Sequence, residues 1–183
     1  MLERMNNKIT DELLDLVSEN DTVIRSELRS IIYTQNLKWI RGVNALIINS
    51  KGQIWIPRRH PNKKVLPLYL DMSVGGHVQA GESYEQAFAR ETLEEINLDL
   101  NQVRWEKILR LTPPQHGSHA FTYVYAIYLD EAPNFNKDEF IDAQWFYPNE
   151  LLRIIESGEK AKNDLRVILK NLPKSLVKEN HST

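Results

Sequence analysis

The segment 76–98 constrains the fold of this chain more than any other part of its sequence. After Gly76 it places charged residues at fixed intervals, and those that matter here are Glu82, Arg90, Glu91, Glu94 and Glu95. Ser83 can act as a helix N-cap, and Gln86 three residues later completes a capping box. Asn97 tolerates a left-handed backbone and suits the C-cap. The segment therefore predicts a helix from about residue 84 to 96.

The predicted helix presents its acids on one face. At roughly 100° per residue, Glu91, Glu94 and Glu95 fall within an arc of about 100°. We expect the opposite side to pack on a core, and it carries Phe88, Ala89, Thr92, Leu93 and Ile96. Like charges at this spacing repel, and the helix has no lysine to relieve them. A hard divalent cation bound to the carboxylates would relieve this repulsion. The pattern therefore favours a metal site over a solvated charged face.

The whole segment resembles the signature of the Nudix hydrolases, which cut nucleoside diphosphates linked to another group. The resemblance implies Mg²⁺ or Mn²⁺ as cofactor. The metal ligands that it implies are Glu91, Glu94, Glu95 and the main-chain carbonyl of Gly75. One of these acids, or an acid from a later loop, would activate water.

Other residues take supporting roles in this resemblance. Glu82 and Arg90 are expected to form a salt bridge that orients the helix. Glu139 lies in a loop that supplies an extra ligand or base in many family members, although an exposed loop acid is the alternative. Thr92 and Asn97 depart mildly from the signature, which usually has an aliphatic residue and a glycine there.

A finer resemblance links residues 57–77 to the isopentenyl-diphosphate isomerase branch of the superfamily. In those isomerases, the positions of Arg59, Lys63 and Arg90 hold the diphosphate. Arg58, Arg59, Lys63 and Lys64 form a basic cluster, for which we expect a phosphate-binding role rather than that of a surface charge run.

Two positions separate the chain from the isomerases themselves. The isomerases carry a catalytic cysteine immediately before the motif glycine, where this chain has Gly75 and has no cysteine anywhere. His77 matches a metal ligand of the isomerases, and a local hydrogen bond is its alternative role. The chain thus resembles the isomerase-like Nudix hydrolases more than the isomerases.

Composition excludes several classes of protein. The chain has 183 residues, a formal net charge of -2 and no cysteine, which rules out disulfides and thiolate metal sites. Near-neutral charge argues against nucleic acid as a general partner, and no apolar run reaches the ~20 residues of a membrane span. The polar, acidic N-terminus does not suit a signal peptide, so we expect a cytoplasmic protein. The sequence leaves the oligomeric state open, and a homodimer is one possibility.

The order of predicted elements favours an α/β fold with a mixed (α+β) sheet between helices, the α/β/α sandwich of Nudix proteins. Expected elements are a hairpin over 12–27, a helix over 26–34, strands over 43–48, 54–57, 72–78, 103–111, 120–129 and 143–147, a helix opening at Pro148 and a helix over 159–172. We expect one Nudix domain over 1–183, with an N-terminal extension (1–40), a core (41–172) and a loose tail (173–183).

The resulting hypothesis is a metal-dependent hydrolase that cleaves a diphosphate linkage in a small nucleoside-diphosphate-type substrate. One rival hypothesis is a diphosphate isomerase, but this chain lacks the thiol that those isomerases carry. Another is a non-catalytic nucleotide-binding Nudix module, a class that commonly loses motif acids that this chain keeps. The sequence does not identify the substrate, the general base or the roles of His116 and His119.

Overall fold

The computed structural model describes residues 11–177, which form a mixed sheet, a separate hairpin and five helices. The strands are β1 (Leu13–Val17), β2 (Val23–Leu28), β3 (Ile40–Ile48), β4 (Ile54–Arg59), β5 (Val74–His77), β6 (Arg104–Leu111), β7 (Ala120–Tyr128) and β8 (Phe140–Phe146). The α-helices are α1 (Arg29–Thr34), α2 (Tyr84–Ile96), α3 (Pro113–His116), α4 (Pro148–Glu156) and α5 (Asn163–Asn171). Short 3₁₀ turns occur at Leu100–Gln102 and Lys174–Leu176.

The sheet is built around β3. Its strand order is β6-β7-β3-β4-β8, and β5 also pairs with β3. β3 and β7 are parallel, and the other pairs are antiparallel. β4 pairs with the end of β3 at Ile48, whereas β5 pairs with residues Gly42 to Ala45. The glycines of β5 are therefore fixed against the central strand.

Helices cover both faces of the sheet. On one face, Phe88 of α2 stacks on Tyr125 of β7, with ring centroids 4.1 Å apart and ring planes 7° from parallel. On the other face, Leu151 of α4 and Leu165 and Ile168 of α5 are fully buried against the sheet. The predicted α/β/α sandwich with a mixed sheet is confirmed.

The hairpin β1–β2 and helix α1 lie beside the end of β5. A separate apolar cluster joins Leu14, Leu16, Ile32 and Ile40. The Ala80 N–H donates to the carbonyl of Leu13 at 2.8 Å, which fixes β1 next to the chain that links β5 to α2. The N-terminal extension is thereby held against the Gly76 segment.

The prediction for the start of the last helix is wrong. The segment 159–162 is extended and pairs with the buried Leu70, whose N–H donates to the Lys160 carbonyl at 2.8 Å. The Lys162 N–H donates to the Leu70 carbonyl at 3.0 Å, and α5 begins only at Asn163. A tertiary pairing overrides the helical pattern of this segment.

Other boundaries differ less. β2 continues to Leu28, so α1 begins at Arg29 instead of residue 26. Pairing with β4 extends β8 back to Phe140 from the expected residue 143. α3 was not predicted. The expected loose tail contains the Lys174–Leu176 turn, and residues 1–10 and 178–183 lie outside the described part of the chain.

The prediction for the packed face of α2 is partly wrong. Phe88, Thr92 and Ile96 are buried as expected, but Ala89 and Leu93 are exposed to solvent. The face of α2 toward the protein is therefore rotated toward Glu91, which is buried. Across residues 11–177, no helix combines the length and the apolar character needed to cross a membrane.

Candidate active site

Helix α2 is fixed at both ends by its own sequence. The Ser83 hydroxyl accepts from the Gln86 N–H at 3.1 Å, and the Gln86 side chain accepts from the Ser83 N–H at 2.8 Å. Asn97 ends the helix in the left-handed region, with φ 51° and ψ 37°. The predicted capping box and C-cap are confirmed, and they set the direction of the acids between them.

Arg90 ties α2 to β5. Its guanidinium binds both carboxylate oxygens of Glu82, at 2.8 and 3.0 Å, and donates to the carbonyl of His77 at 3.0 Å. It also donates to Glu91 at 2.7 Å. The hydrogen bond from Arg90 holds the pKa of Glu82 below its ordinary value. The predicted Glu82–Arg90 salt bridge is thus present, and it links the helix to the strand.

Two motif acids meet the glycines of β5. A Cβ atom on Gly76 would overlap the carboxylate of Glu91, so only glycine leaves room for that side chain. The Gly75 N–H donates to Glu95 at 2.9 Å. Glu94 is 58% exposed and its carboxylate lies 3.5 Å from Arg90. Glu91 and Glu95 therefore lie at the backbone of β5, and Glu94 lies at the rim.

The two inner acids resist ionisation. Burial raises the pKa of Glu91 to about 7, against the lowering effect of Arg90. Burial also raises the pKa of Glu95 well above its ordinary value, and the negative charge of Asp71 adds to the rise. A bound cation would favour the ionised form of both carboxyl groups and so offset the effect of burial.

These acids line a pocket of about 600 Å³. Its acidic lining includes Glu91, Glu94, Glu95 and Glu139, next to the backbone of Gly75 and Gly76. Its cationic lining consists of Arg29, Arg59, Lys63, Arg90 and Lys162. Carboxylates and cationic side chains thus line the same pocket. This is the arrangement expected around a phosphate that is bound to a metal ion.

Only part of the predicted basic cluster reaches the pocket. Arg59 and Lys63 line it, whereas Arg58 donates to Glu159 and to the carbonyl of Leu68, both at 2.9 Å. The prediction that Arg58 holds substrate does not fit this position, because its guanidinium is directed to residues outside the pocket lining. Successive residues of a strand face opposite sides of the sheet, and Arg58 and Arg59 are adjacent in β4.

The loop acid Glu139 faces the pocket and pairs with a cation. Its carboxylate hydrogen-bonds to Lys63. Its carbonyl accepts from the His60 N–H at 2.8 Å. The loop before β8 and the basic loop after β4 are therefore joined at the pocket.

The three histidines singled out from the sequence differ in position. His77 lines the pocket, where it hydrogen-bonds to the Tyr33 hydroxyl at 3.0 Å and lies 3.3 Å from Glu12 of the N-terminal extension. His119 lines the pocket. The His116 ring accepts from the Thr112 N–H at 3.0 Å, within α3 and its cap.

Several pocket residues were not predicted from the sequence. They include Glu12, Arg29 and Tyr33 from the N-terminal extension, Asn44 from β3, and Lys162 and Asp164 from the segment before and in α5. None lies in the Gly76–Leu98 signature, and tertiary pairing brings them to it. The missed start of α5 also concealed Lys162, since a helix from 159 would have placed it differently.

Comparison with known proteins identifies the family of this chain. The family model of the NUDIX domain matches residues 38–170. A protein of Nostoc sp. named as an uncharacterized Nudix hydrolase is 49% identical over 154 residues, covering 84% of this chain and 91% of the relative. A crystal structure of a Deinococcus radiodurans protein has a TM-score of 0.84 at 41% identity, covering 89% of this chain and 100% of the other.

The isomerase resemblance is also present, at lower identity. A protein of Enterobacter sp. named isopentenyl-diphosphate Delta-isomerase is 26% identical over 146 residues, covering 78% of this chain and 80% of the relative. The family match covers the mixed sheet, α2 and the acids Glu91, Glu94, Glu95 and Glu139, and the Nostoc relative covers 84% of this chain. This chain belongs to the Nudix hydrolases.

Proposed function

We propose that this Nudix hydrolase cleaves a diphosphate linkage in a small, nucleoside-diphosphate-type substrate and that it depends on Mg²⁺ or Mn²⁺. The observation that carries the proposal is the pair Glu91 and Glu95, held over Gly75 and Gly76 with raised pKa values in a pocket that also presents cations. Such acids favour a bound cation, and the cations opposite them favour a phosphate.

The donor set fits a hard divalent cation in kind. Nudix hydrolases generally need divalent metal ions, and carboxylate and carbonyl oxygens are the ligands that Mg²⁺ and Mn²⁺ prefer. We propose Glu91, Glu94, Glu95 and the Gly75 carbonyl as ligands. Among residues 11–177 no three acidic or histidine side chains converge as a preformed site. These side chains would therefore have to move closer together to bind one metal ion.

Each part of the pocket has a task in this reaction. A bound divalent cation would neutralise phosphate charge and lower the pKa of water. Water attacks phosphorus, the bond to the bridging oxygen breaks, and a pocket carboxylate accepts the proton. Glu139 is our candidate for that base, because it faces the pocket from outside α2. Arg59 and Lys63 would offset the charge that develops.

A substrate panel tests the proposal. Nucleoside diphosphate sugars, dinucleotides, coenzyme A and prenyl diphosphates are incubated with the protein and Mg²⁺ or Mn²⁺, and phosphate release is measured after phosphatase treatment. We expect release from at least one nucleoside-diphosphate compound and none in excess EDTA. Full activity in EDTA would contradict the metal dependence, and inactivity on the whole panel would contradict the substrate class.

The isomerase relatives make isomerisation the second candidate. The position of the isomerase thiol is Gly75, and a Cβ atom there would lie 2.6 Å from the Asn44 side-chain oxygen. A side chain at residue 75 therefore fits only if Asn44 moves. The lack of both a thiol and the room for one favours hydrolysis over isomerisation.

A further inference from the structure

Asp71 joins two cations of the pocket. Its side chain is only 5% exposed, and one carboxylate oxygen accepts from Arg59 at 2.6 Å. The other oxygen accepts from the Met72 N–H at 2.8 Å and lies 3.1 Å from the Lys162 ammonium. Both Arg59 and Lys162 line the pocket. One buried carboxylate thus fixes two cations at the same site.

The two cations differ in the donors that they have left. Arg59 also donates to the Leu66 carbonyl at 3.1 Å and to the Val65 carbonyl at 3.0 Å, so it holds the loop after β4. Lys162 has three N–H donors, and within residues 11–177 its ammonium contacts Asp71 alone. Lys63, the other lysine of the pocket lining, is bound to Glu139. Lys162 therefore keeps two N–H donors for a ligand, and neither of them is engaged by the loop after β4 or by Glu139.

Lys162 is held by its backbone as well as by the contact of its ammonium with Asp71. Leu70, next to Asp71, is 4% exposed and exchanges hydrogen bonds with Lys160 and Lys162 at 2.8 and 3.0 Å. The two segments are therefore locked side by side. A cation held in this way loses little conformational freedom when it binds an anion.

We propose that Lys162 binds the phosphate oxygens of the substrate and that Asp71 is the positioning residue that aims it. The inference rests on the proposed function. Asp71 carries one negative charge and its two partners carry one positive charge each, so the cluster keeps a net positive charge in a pocket lined by acids. A phosphate drawn to a cation on those acids needs positive charge on its other oxygens.

Titration calorimetry with methylenediphosphonate, a non-hydrolysable diphosphate, tests the role of Lys162. In the presence of Mg²⁺ we expect Lys162→Met to bind it about tenfold to a hundredfold more weakly than the parent, the scale of a charge-assisted hydrogen bond. Lys160→Met is the matched control, since Lys160 is an exposed lysine of the same segment outside the pocket lining. It should change the dissociation constant less than about twofold, as expected for a surface charge.

Further measurements separate binding from folding. Lys162→Arg should restore most of the affinity, and titration of Mn²⁺ alone should give nearly equal dissociation constants for the parent and Lys162→Met. In a double-mutant cycle, Lys162→Met should cost less affinity in an Asp71→Asn background than in the parent, because the two residues act through one contact. Additive losses would overturn the positioning role of Asp71.

The outcomes distinguish this inference from the proposed function. Equal affinity of parent and Lys162→Met, together with hydrolysis of a diphosphate by both, would overturn the inference alone. If Lys162→Met binds methylenediphosphonate more weakly than the parent but the parent hydrolyses no compound of the panel, the anion site would be supported and the proposed function overturned. A parent that does not bind methylenediphosphonate would overturn both.

Discussion

Gly75 and Gly76 determine where two of the glutamates of α2 can lie. The missing side chain of Gly76 leaves the space that Glu91 occupies, and the N–H of Gly75 fixes Glu95. The backbone therefore positions Glu95 directly, whereas Glu91 is held by the space above Gly76 together with its hydrogen bond from Arg90. Burial at this position raises the pKa of both Glu91 and Glu95, and a bound cation would act in the opposite direction.

The first prediction concerns Glu95. Glu95→Gln keeps the size of the side chain and removes a charge that we assign to metal binding, so turnover should fall at least about a hundredfold, the scale seen when a key electrostatic group is lost. Glu85→Gln is the control, because Glu85 lies on the same helix but pairs with Lys107 outside the pocket lining. Comparable turnover of Glu95→Gln and the parent at saturating Mg²⁺ would remove Glu95 from the chemistry.

Arg90 gives a second prediction, which concerns stability. Arg90→Ala leaves Glu82 and the buried Glu91 without their partner, which should cost about 1.5–3 kcal/mol. The melting temperature should then fall by roughly 3–12 °C for a chain of this size. Arg166→Ala is the control, since its ion pair with Glu156 is exposed and 3.8 Å long. An unchanged melting temperature with weaker substrate binding would place Arg90 on the substrate instead.

At the scale of elements, the hairpin and α1 are attached to the site by polar contacts. Glu12 precedes β1 and accepts from Arg29 of α1 at 3.0 Å, and it lies 3.3 Å from His77 of β5. Tyr33 of α1 reaches the other nitrogen of the same imidazole. His77 therefore connects the motif strand to two segments of the N-terminal extension.

The pH dependence of stability tests this connection. The hydrogen bond with His77 lowers the pKa of Glu12 from 4.5 to about 2, with help from Arg29 and against the effect of burial. A depressed folded-state pKa stabilises the fold above the unfolded value, and this stabilisation is lost as pH falls. The difference in unfolding free energy between parent and Glu12→Gln should therefore shrink between pH 4.5 and about 2.

Urea unfolding of the parent and of Glu12→Gln at several pH values in this range measures the difference in their free energies of unfolding. Glu19→Gln serves as the control, because Glu19 is an exposed acid in the turn of the hairpin. A difference between parent and Glu12→Gln that stays constant with pH would show that Glu12 titrates alike in the folded and unfolded chain.

The sequence predicts elements whose causes are local and misses those whose causes are tertiary. Ser83, Gln86 and Asn97 specify α2 by neighbouring contacts, so its bounds were predicted correctly. The segment 159–162 has a helical pattern but pairs with Leu70, and no signal within the segment reveals that partner. The same reason explains why the signature located the acids of the site but Asp71 and Lys162 were missed.

At the scale of the whole molecule, the chain is similar in sequence to isopentenyl-diphosphate isomerases at 26% identity, but it contains no cysteine. The fourth prediction is that isopentenyl diphosphate is not converted to its allylic isomer, since Gly75 offers no thiol and Asn44 fills the adjacent space. Proton NMR in deuterated water checks this, with an active isopentenyl-diphosphate isomerase as positive control. Incorporation of deuterium into the allylic product would require another acid near residue 75.

The pocket draws its lining from nearly the full length of the described chain, from Glu12 to Asp164. During synthesis, the hairpin, the central strands and α2 leave the ribosome well before the segment that carries Lys162. Until that segment docks on Leu70, the carboxylate of Asp71 lacks one of its two cations. The segment that carries Lys162 and Asp164 is thus the last part of the pocket lining to leave the ribosome, and its docking completes the pocket.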